Sequence, residues 1–336
     1  MSSVRFVGYR DKKGFVVRGG PKVEPSRTDR HMARAFYLVS QLEAANWGTV
    51  QNYDGAGMSA GPLHVIAVYP ATGDQGPLWR MLGRIFDTSS AAPVAALKRR
   101  LGAVGWNVAA DGTLRDGSGA KVSGATIREQ LSARDGRVPD SGPVHDRAKA
   151  WAIAFHEAFS DPSSYPGQYE GTVDWLTANF GSEADAYRKY VPALAGKSDA
   201  EVKSWVRTAT LAQVSPYLDL AMSVYHAFSV NAPGKAKQIL DRVLAMNLDV
   251  RNFAKTLTKQ LGDDSYGNWQ ARGRKTKIAA ARSGLWPSDV VKDVYPDAQV
   301  ASMVAYAQEG APFAFGGVLT LFALGAAGYF LLRSQS

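Results

Sequence analysis

Residues 311–332, APFAFGGVLTLFALGAAGYFLL, carry no charged side chain over 22 positions. At about 1.5 Å per residue, a helix of that length reaches across the ~30 Å hydrocarbon core of a bilayer. Ten of the 22 are Leu, Phe or Val, each favouring insertion by roughly 0.3–0.6 kcal/mol. Tyr329 lies near one end, where interfacial aromatics sit, and Arg333 closes the run. A buried terminal helix of a soluble fold is the competing reading, but such a helix ordinarily keeps a polar face. The expectation is one C-terminal transmembrane helix over 311–332 with a short tail, 333–336. The Arg in that tail places it in the cytoplasm and the large domain on the periplasmic, cell-wall side. In a membrane-containing virion the same span would lie in the internal membrane.

The remaining 310 residues are enough to bury a sizeable core. A hydrophobic content of 46% and a charged content of 21% are those of a globular chain and exclude disorder. The chain has no cysteine, which excludes disulfides, thiol catalysis and Cys-ligated zinc or iron–sulfur sites. The net charge of +9 favours polyanions: nucleic acid, anionic lipid or anionic envelope polymers. No RGG repeat, RRM signature or zinc finger is present, so sequence-specific nucleic-acid binding is not expected. The histidines, at 31, 64, 145, 156 and 226, have no metal-ligand spacing, and no metal or organic cofactor is expected.

Val4–Tyr9 and Gly14–Arg18 flank Asp11-Lys12-Lys13-Gly14 and predict a basic N-terminal hairpin or arm over 1–25. A Gly/Pro-rich linker follows. A helix then starts around Thr28-Asp29, with Thr28 as N-cap. Met32, Ala35, Phe36, Val39 and Leu42 recur at helical spacing. Glu43 continues this apolar stripe and ends the helix, because Asn46, Trp47 and Gly48 follow. Burial and the negative end of the helix dipole both disfavour a carboxylate there, which is the environment a general acid needs. The bland alternative is a half-exposed helix-end Glu with a salt-bridge partner.

Asn52 to Gly61 hold three glycines in seven positions, implying tight turns and close backbone approach. Leu63–Tyr69 then read as a strand. Asp54, at the entrance to the turn, suits a base that activates water, with Ser59 holding that water; an Asx-turn role is the alternative for Asp54. Gly57-Met58-Ser59-Ala60-Gly61 also matches G-x-S-x-G. The nucleophile elbow needs a strand before the Ser and a helix after it; here a turn precedes and Pro62 with a strand-like run follows.

The segment Tyr53-Asp54-Gly55-Ala56-Gly57-Met58-Ser59-Ala60-Gly61 resembles the D-G-R-G-Y-T-A-G segment of chitosanases with a lysozyme-like fold. It is also similar to the Y-D-x-x-x-x-S-x-G segment of phage and bacterial peptidoglycan hydrolases of that superfamily. The resemblance covers about thirty residues and implies Glu43 as acid, Asp54 as base and Ser59 as the water-positioning hydroxyl. Thr72-Gly73-Asp74 is similar to the T-G-D of the chitosanases. The short Glu43–Asp54 spacing, Ala56 in place of Arg, and Pro62-Leu63-His64 point away from chitosan itself. They leave Asp54 either the base or a structural residue, as in one-carboxylate transglycosylases.

Farther on, Leu78–Leu82 and Val94–Val104 predict helices, and Trp106–Gly124 a hairpin with Asp-Gly turns. A Pro/Gly/Asp-rich run at 134–143 marks a lobe break, and from Val144 the chain reads as helical. Ser265–Lys277, SYGNWQARGRKTK, reads as a solvated basic loop, with a polyanionic-glycan contact as the alternative.

The expected fold is mainly α (α+β): a lysozyme-like two-lobed domain over 26–310 with a small β element, followed by the span. The expected function is a membrane-anchored, bacteriolytic glycoside hydrolase cleaving peptidoglycan or a related aminosugar polymer, of phage-lysis or genome-entry type. The alternative is a non-catalytic envelope or virion protein that binds the wall through the same scaffold.

Overall fold

The computed structural model describes residues 3–9, 12–25, 29–52, 55–132, 141–178 and 181–308. It is mainly helical, with short strands gathered near the N-terminus. Strands β1 (Ser3–Tyr9) and β2 (Lys12–Arg18) pair antiparallel. After helix α1 (His31–Leu42) come β3 (Val50–Gln51), β4 (Ser59–Ala60) and β5 (Val65–Ile66). All five join one antiparallel meander in sequence order, in the register Val17↔Val50, Gln51↔Ser59 and Ala60↔Val65. The N-terminal hairpin is therefore continuous with the sheet through β2 rather than a detached arm.

Helices α2 (Leu78–Thr88) and α3 (Ala92–Ala103) precede a second hairpin, β6 (Asn107–Val108) and β7 (Leu114–Arg115), and then α4 (Gly124–Leu131). Helices α5 (Pro143–Ser160) and α6 (Tyr165–Leu176) follow. Helix α6 lies almost on α2, because its glycines remove the intervening side chains. A Cβ at Gly167 or Gly171 would come within 2.6 Å of the Ile85 or Met81 Cα. The expected lobe break falls largely on residues 133–140, outside the described residues.

The C-terminal half contains α7 (Ser182–Tyr190), α8 (Asp199–Thr208), α9 (Pro216–Ser229) and α10 (Pro233–Ala245). It ends with α11 (Val250–Asp263), α12 (Trp269–Ser283), α13 (Ser288–Val294) and α14 (Ala298–Gln308). Every residue of α9 from Leu218 to Phe228 is buried. A helix apolar nearly all round belongs inside, and α1, α10, α11, α12 and α13 pack around it. Capping fixes the helix starts locally: Ser198 and Glu201 form a capping box on α8, and Asp249 caps α11.

Three local expectations shift. Helix α1 opens at His31 with Arg30 at the N-cap position and no side-chain cap; Thr28 lies outside the described residues. The strand expected over 63–69 is only Val65–Ile66, because Gly61 (φ +78°) and His64 (φ +51°) are left-handed and turn the chain first. The loop expected over 265–277 gives way from Trp269 onward to helix α12, which runs on to Ser283. Among the described residues no helix is long and apolar enough to cross a membrane. The apolar run 311–332 lies outside them.

Candidate functional site

Glu43 is the residue immediately after α1, and its N–H bonds the Ser40 and Val39 carbonyls. The chain reverses at once. Ala45 adopts φ +59°, a left-handed conformation that costs a non-glycine residue about 1–2 kcal/mol. Ala44 N–H donates to Pro62 O at 3.1 Å, and Val23 N–H to Ala45 O at 2.8 Å. Trp47 stacks on Tyr165, with centroids 4.2 Å apart, and on Phe36. The turn is thus tied to the meander, to the preceding linker and to α6, so the position of Glu43 is fixed from several sides.

The carboxylate has a partner that local sequence does not reveal. Arg272 of α12 donates from one guanidinium nitrogen to Glu43 Oε1 at 2.6 Å and from the other to Ala227 O at 2.8 Å. This is the part-exposed, salt-bridged helix-end Glu of the alternative reading, rather than a carboxyl held on the apolar stripe. The Arg272 side chain is 7% exposed and that of Glu43 is 21% exposed. Glu43 Oε2 has no hydrogen bond among the described residues. One oxygen is clamped while the other is open to whatever approaches the junction of meander, α9 and α12. A signal for Arg272 exists in the sequence. Trp269, Arg272, Thr276 and Ala280 make the buried stripe of α12, and a guanidinium on such a stripe requires a buried acceptor.

Asp54 lies outside the described residues, so its separation from Glu43 is not part of the described geometry. The residues bracketing it are anchored. Asn52 is fully buried, accepts from Phe15 N–H at 2.8 Å and donates to the Leu131 and Ala148 carbonyls, each at 2.8 Å. Gly55 O accepts from Arg128 Nε at 2.9 Å. Gly57 adopts φ +72° with Arg128 so close that a Cβ would sit 3.2 Å from its Cα. Ser59 is 1% exposed in β4 between Gln51 and Ile66, and its hydroxyl has no hydrogen bond among the described residues. With strands on both sides, its surroundings lack the strand–turn–helix of a nucleophile elbow. Thr72-Gly73-Asp74 forms a turn: Tyr69 N–H donates to Asp74 O and Gly73 N–H to Tyr69 O.

A second polar constellation, absent from the sequence reading, lies inside the helical half. His31 bonds Asp219 through Nδ1 and shares a 2.5 Å hydrogen bond with the Tyr187 hydroxyl through Nε2. Arg34 donates to the other Asp219 oxygen at 2.8 Å. His31, Tyr187 and Asp219 are buried. Nearby, Glu183 Oε1 lies 3.7 Å from His226 Nδ1. Burial pushes the Glu183 carboxyl up to about 8 and the His226 imidazole down to about 3. At these values both stay neutral near pH 7, and the contact is not an ion pair despite its distance. His156 serves the backbone, bonding Gly48 O through Nδ1 at 2.5 Å. Among the described residues no group of three or more His, Asp or Glu side chains is arranged to hold a metal. No family model, curated protein or solved structure matches this chain.

Proposed function

We propose that the chain is a membrane-anchored glycoside hydrolase acting on peptidoglycan glycan strands, with a lysozyme-like two-lobed domain and its anchor at 311–332. The observation that carries this reading is Glu43. It is a carboxylate at the C-terminal end of α1, immediately before an antiparallel meander, with Oε1 clamped by Arg272 and Oε2 open. In this reading Oε2 delivers a proton to the glycosidic oxygen as the bond from the anomeric carbon to that oxygen breaks. Asp54 takes a proton from the attacking water, and Ser59 positions that water. A carboxyl separation of about 6.5–9.5 Å corresponds to inversion and about 5 Å to retention. Without a base at Asp54, Glu43 alone serves as acid and then base in a transglycosylase.

A second reading is favoured by the same clamp. A carboxylate held by a 7%-exposed guanidinium is also how a structural ion pair looks, which suits a non-catalytic wall-binding envelope or virion protein. Incubation of purified full-length protein with peptidoglycan sacculi separates the two. The hydrolase reading expects release of reducing ends or anhydro-sugars, abolished by Glu43→Gln with the melting temperature retained. Wild-type protein that binds sacculi and releases neither product supports the second reading.

A further inference from the structure

Two cavities flank α11. The larger, about 590 Å³, lies against α12, with Val224, Phe228 and Pro296 contributing apolar lining and Lys255, Lys259, Arg274 and Lys277 contributing charge. The smaller, about 550 Å³, includes Arg242 and Gln260, and it shares Lys255 and Lys259 with the first. The two therefore form one trough across α11. A close helix crossing sets its shape: a Cβ on Gly273 of α12 would lie 2.7 Å from the Gly262 Cα of α11. Arg274, next to Gly273, and Lys259 of α11 both line the larger cavity.

Five cations in the trough face three carboxylates, Asp263, Asp264 and Asp297. Those three are already engaged, by Lys259, by Lys235 at 3.1 Å and by Lys277 at 3.0 Å respectively. Arg242 and Arg274 form no ion pair among the described residues; Arg242 is near enough to Asp264 to help hold that carboxyl below its ordinary range, and Arg274 is the uncommitted guanidinium. The lysine pairs are partly or largely exposed, and exposed pairs are worth only about 0–1 kcal/mol, so an arriving anion displaces them at little cost. Guanidinium groups suit the planar, two-oxygen geometry of carboxylates and phosphates.

We infer that this trough binds an acidic glycan, a sugar polymer bearing regularly spaced carboxylates or phosphodiesters, and holds it beside the α12 helix that also carries Arg272. The inference rests on the hydrolase reading for the glycan's identity. Single-stranded nucleic acid is the weaker fit, because it is held by stacking bases on exposed aromatic rings. The trough's aromatic residues, Phe228 and Tyr295, are 0% and 9% exposed.

The test uses full-length protein carrying Glu43→Gln, so that the polymer is not digested. Its co-sedimentation is measured with intact bacterial walls and with the same walls stripped of phosphodiester polymers, and duplex and single-stranded DNA are titrated in parallel. Arg242→Gln and Arg274→Gln are each expected to weaken wall binding at low salt by about fivefold, from roughly 1 kcal/mol per surface cation facing an anionic surface. Lys259→Glu weakens it further, and added salt weakens all of them. Binding that survives stripping assigns the carboxylates of peptidoglycan; binding lost on stripping assigns the phosphodiesters. Unaltered wall binding by the Arg242→Gln/Arg274→Gln double variant overturns the inference, as does failure of the parent to bind either wall. Loss of DNA binding with wall binding intact overturns it in favour of nucleic acid. Wall binding that responds to these variants while wild-type protein releases no product leaves the trough standing and removes the hydrolase reading. Arg242 and Arg274 are exposed, and unchanged circular dichroism and melting temperature confirm folding.

Discussion

The two ends of helix α1 hold their charges in opposite ways. At the first turn, His31 and Arg34 meet the Asp219 carboxylate; at the last, Glu43 meets the Arg272 guanidinium. Both partners come from the C-terminal half of the chain, and both have the sign that the helix dipole favours at that end. The difference is access. The side chain of Asp219 is 1% exposed with both oxygens committed, whereas that of Glu43 is 21% exposed with Oε2 uncommitted. A closed pair holds elements together, while an open one also has an atom to offer a ligand. Charge type alone does not separate a structural acid from a candidate catalytic one; the uncommitted lone pairs do.

The sharpest way to break this contrast is to neutralise each acid. Glu43→Gln keeps a hydrogen bond to Arg272 and removes the transferable proton. On the proposed hydrolase reading it lowers glycan cleavage by about 10²–10⁴-fold, the ordinary contribution of a general acid, with little loss of stability. Asp219→Ala is expected to do the reverse. It strands His31 and Arg34, and breaking a buried pair in this way costs about 3–5 kcal/mol. Urea unfolding reads that loss, while specific activity per folded molecule stays near wild type. If Asp219→Ala abolished turnover without destabilising the fold, the interior cluster and not Glu43 would be the reacting site.

The next test concerns Glu183 and His226, the interior's neutral pair. From pH 4.5 to about 8 the folded chain keeps a proton on Glu183 that the unfolded chain has released, so stability falls as pH rises through that window. From pH 6.5 down to about 3 the unfolded chain gains a proton that folded His226 refuses, so stability falls as pH drops. The two slopes cancel between 4.5 and 6.5, which leaves a plateau. Between pH 6.5 and 8 the Glu183 effect amounts to about 2 kcal/mol. Glu183→Gln is expected to abolish this alkaline loss in denaturation measured at pH 6.5 and pH 8. A wild-type protein equally stable at both would mean that Glu183 is hydrated or paired, and the distinction between closed interior and open junction would weaken.

What could be read from the sequence tracks how local the cause is. Met32, Ala35, Phe36, Val39 and Leu42 specify the inner face of α1 within a dozen residues, and that helix forms with Glu43 at its end. The Asp-Gly turns of the second hairpin are equally local. The strand over 63–69 was legible only in part, since β-branched content does not report that Gly61 and His64 turn the chain. Arg272 was not legible as a partner, because 229 residues separate it from Glu43. Asp219 left a trace, a lone acid inside Leu218-Asp219-Leu220-Ala221-Met222. Such a position demands a buried base, but the sequence does not say that the base is His31.

The smallest expected effect belongs to Ser59, and it bears on whether the open side extends from Glu43 to the meander. Ser59 is as buried as the interior residues, yet its hydroxyl has no hydrogen bond among the described residues. A buried hydroxyl without a protein partner ordinarily costs free energy unless water satisfies it. If that water is the attacking one, Ser59→Ala removes one hydrogen bond worth about 1.4 kcal/mol, and kcat falls about tenfold. Stability stays level, because the hydroxyl bonds only that water. Ser59→Thr, which restores the hydroxyl, then recovers part of the rate. If Ser59 only fills β4, Ala leaves kcat unchanged and Thr lowers stability by crowding a site with no spare volume. Turnover and urea midpoints on the same two variants decide between these outcomes, since the catalytic role moves the rate and the packing role moves the midpoint.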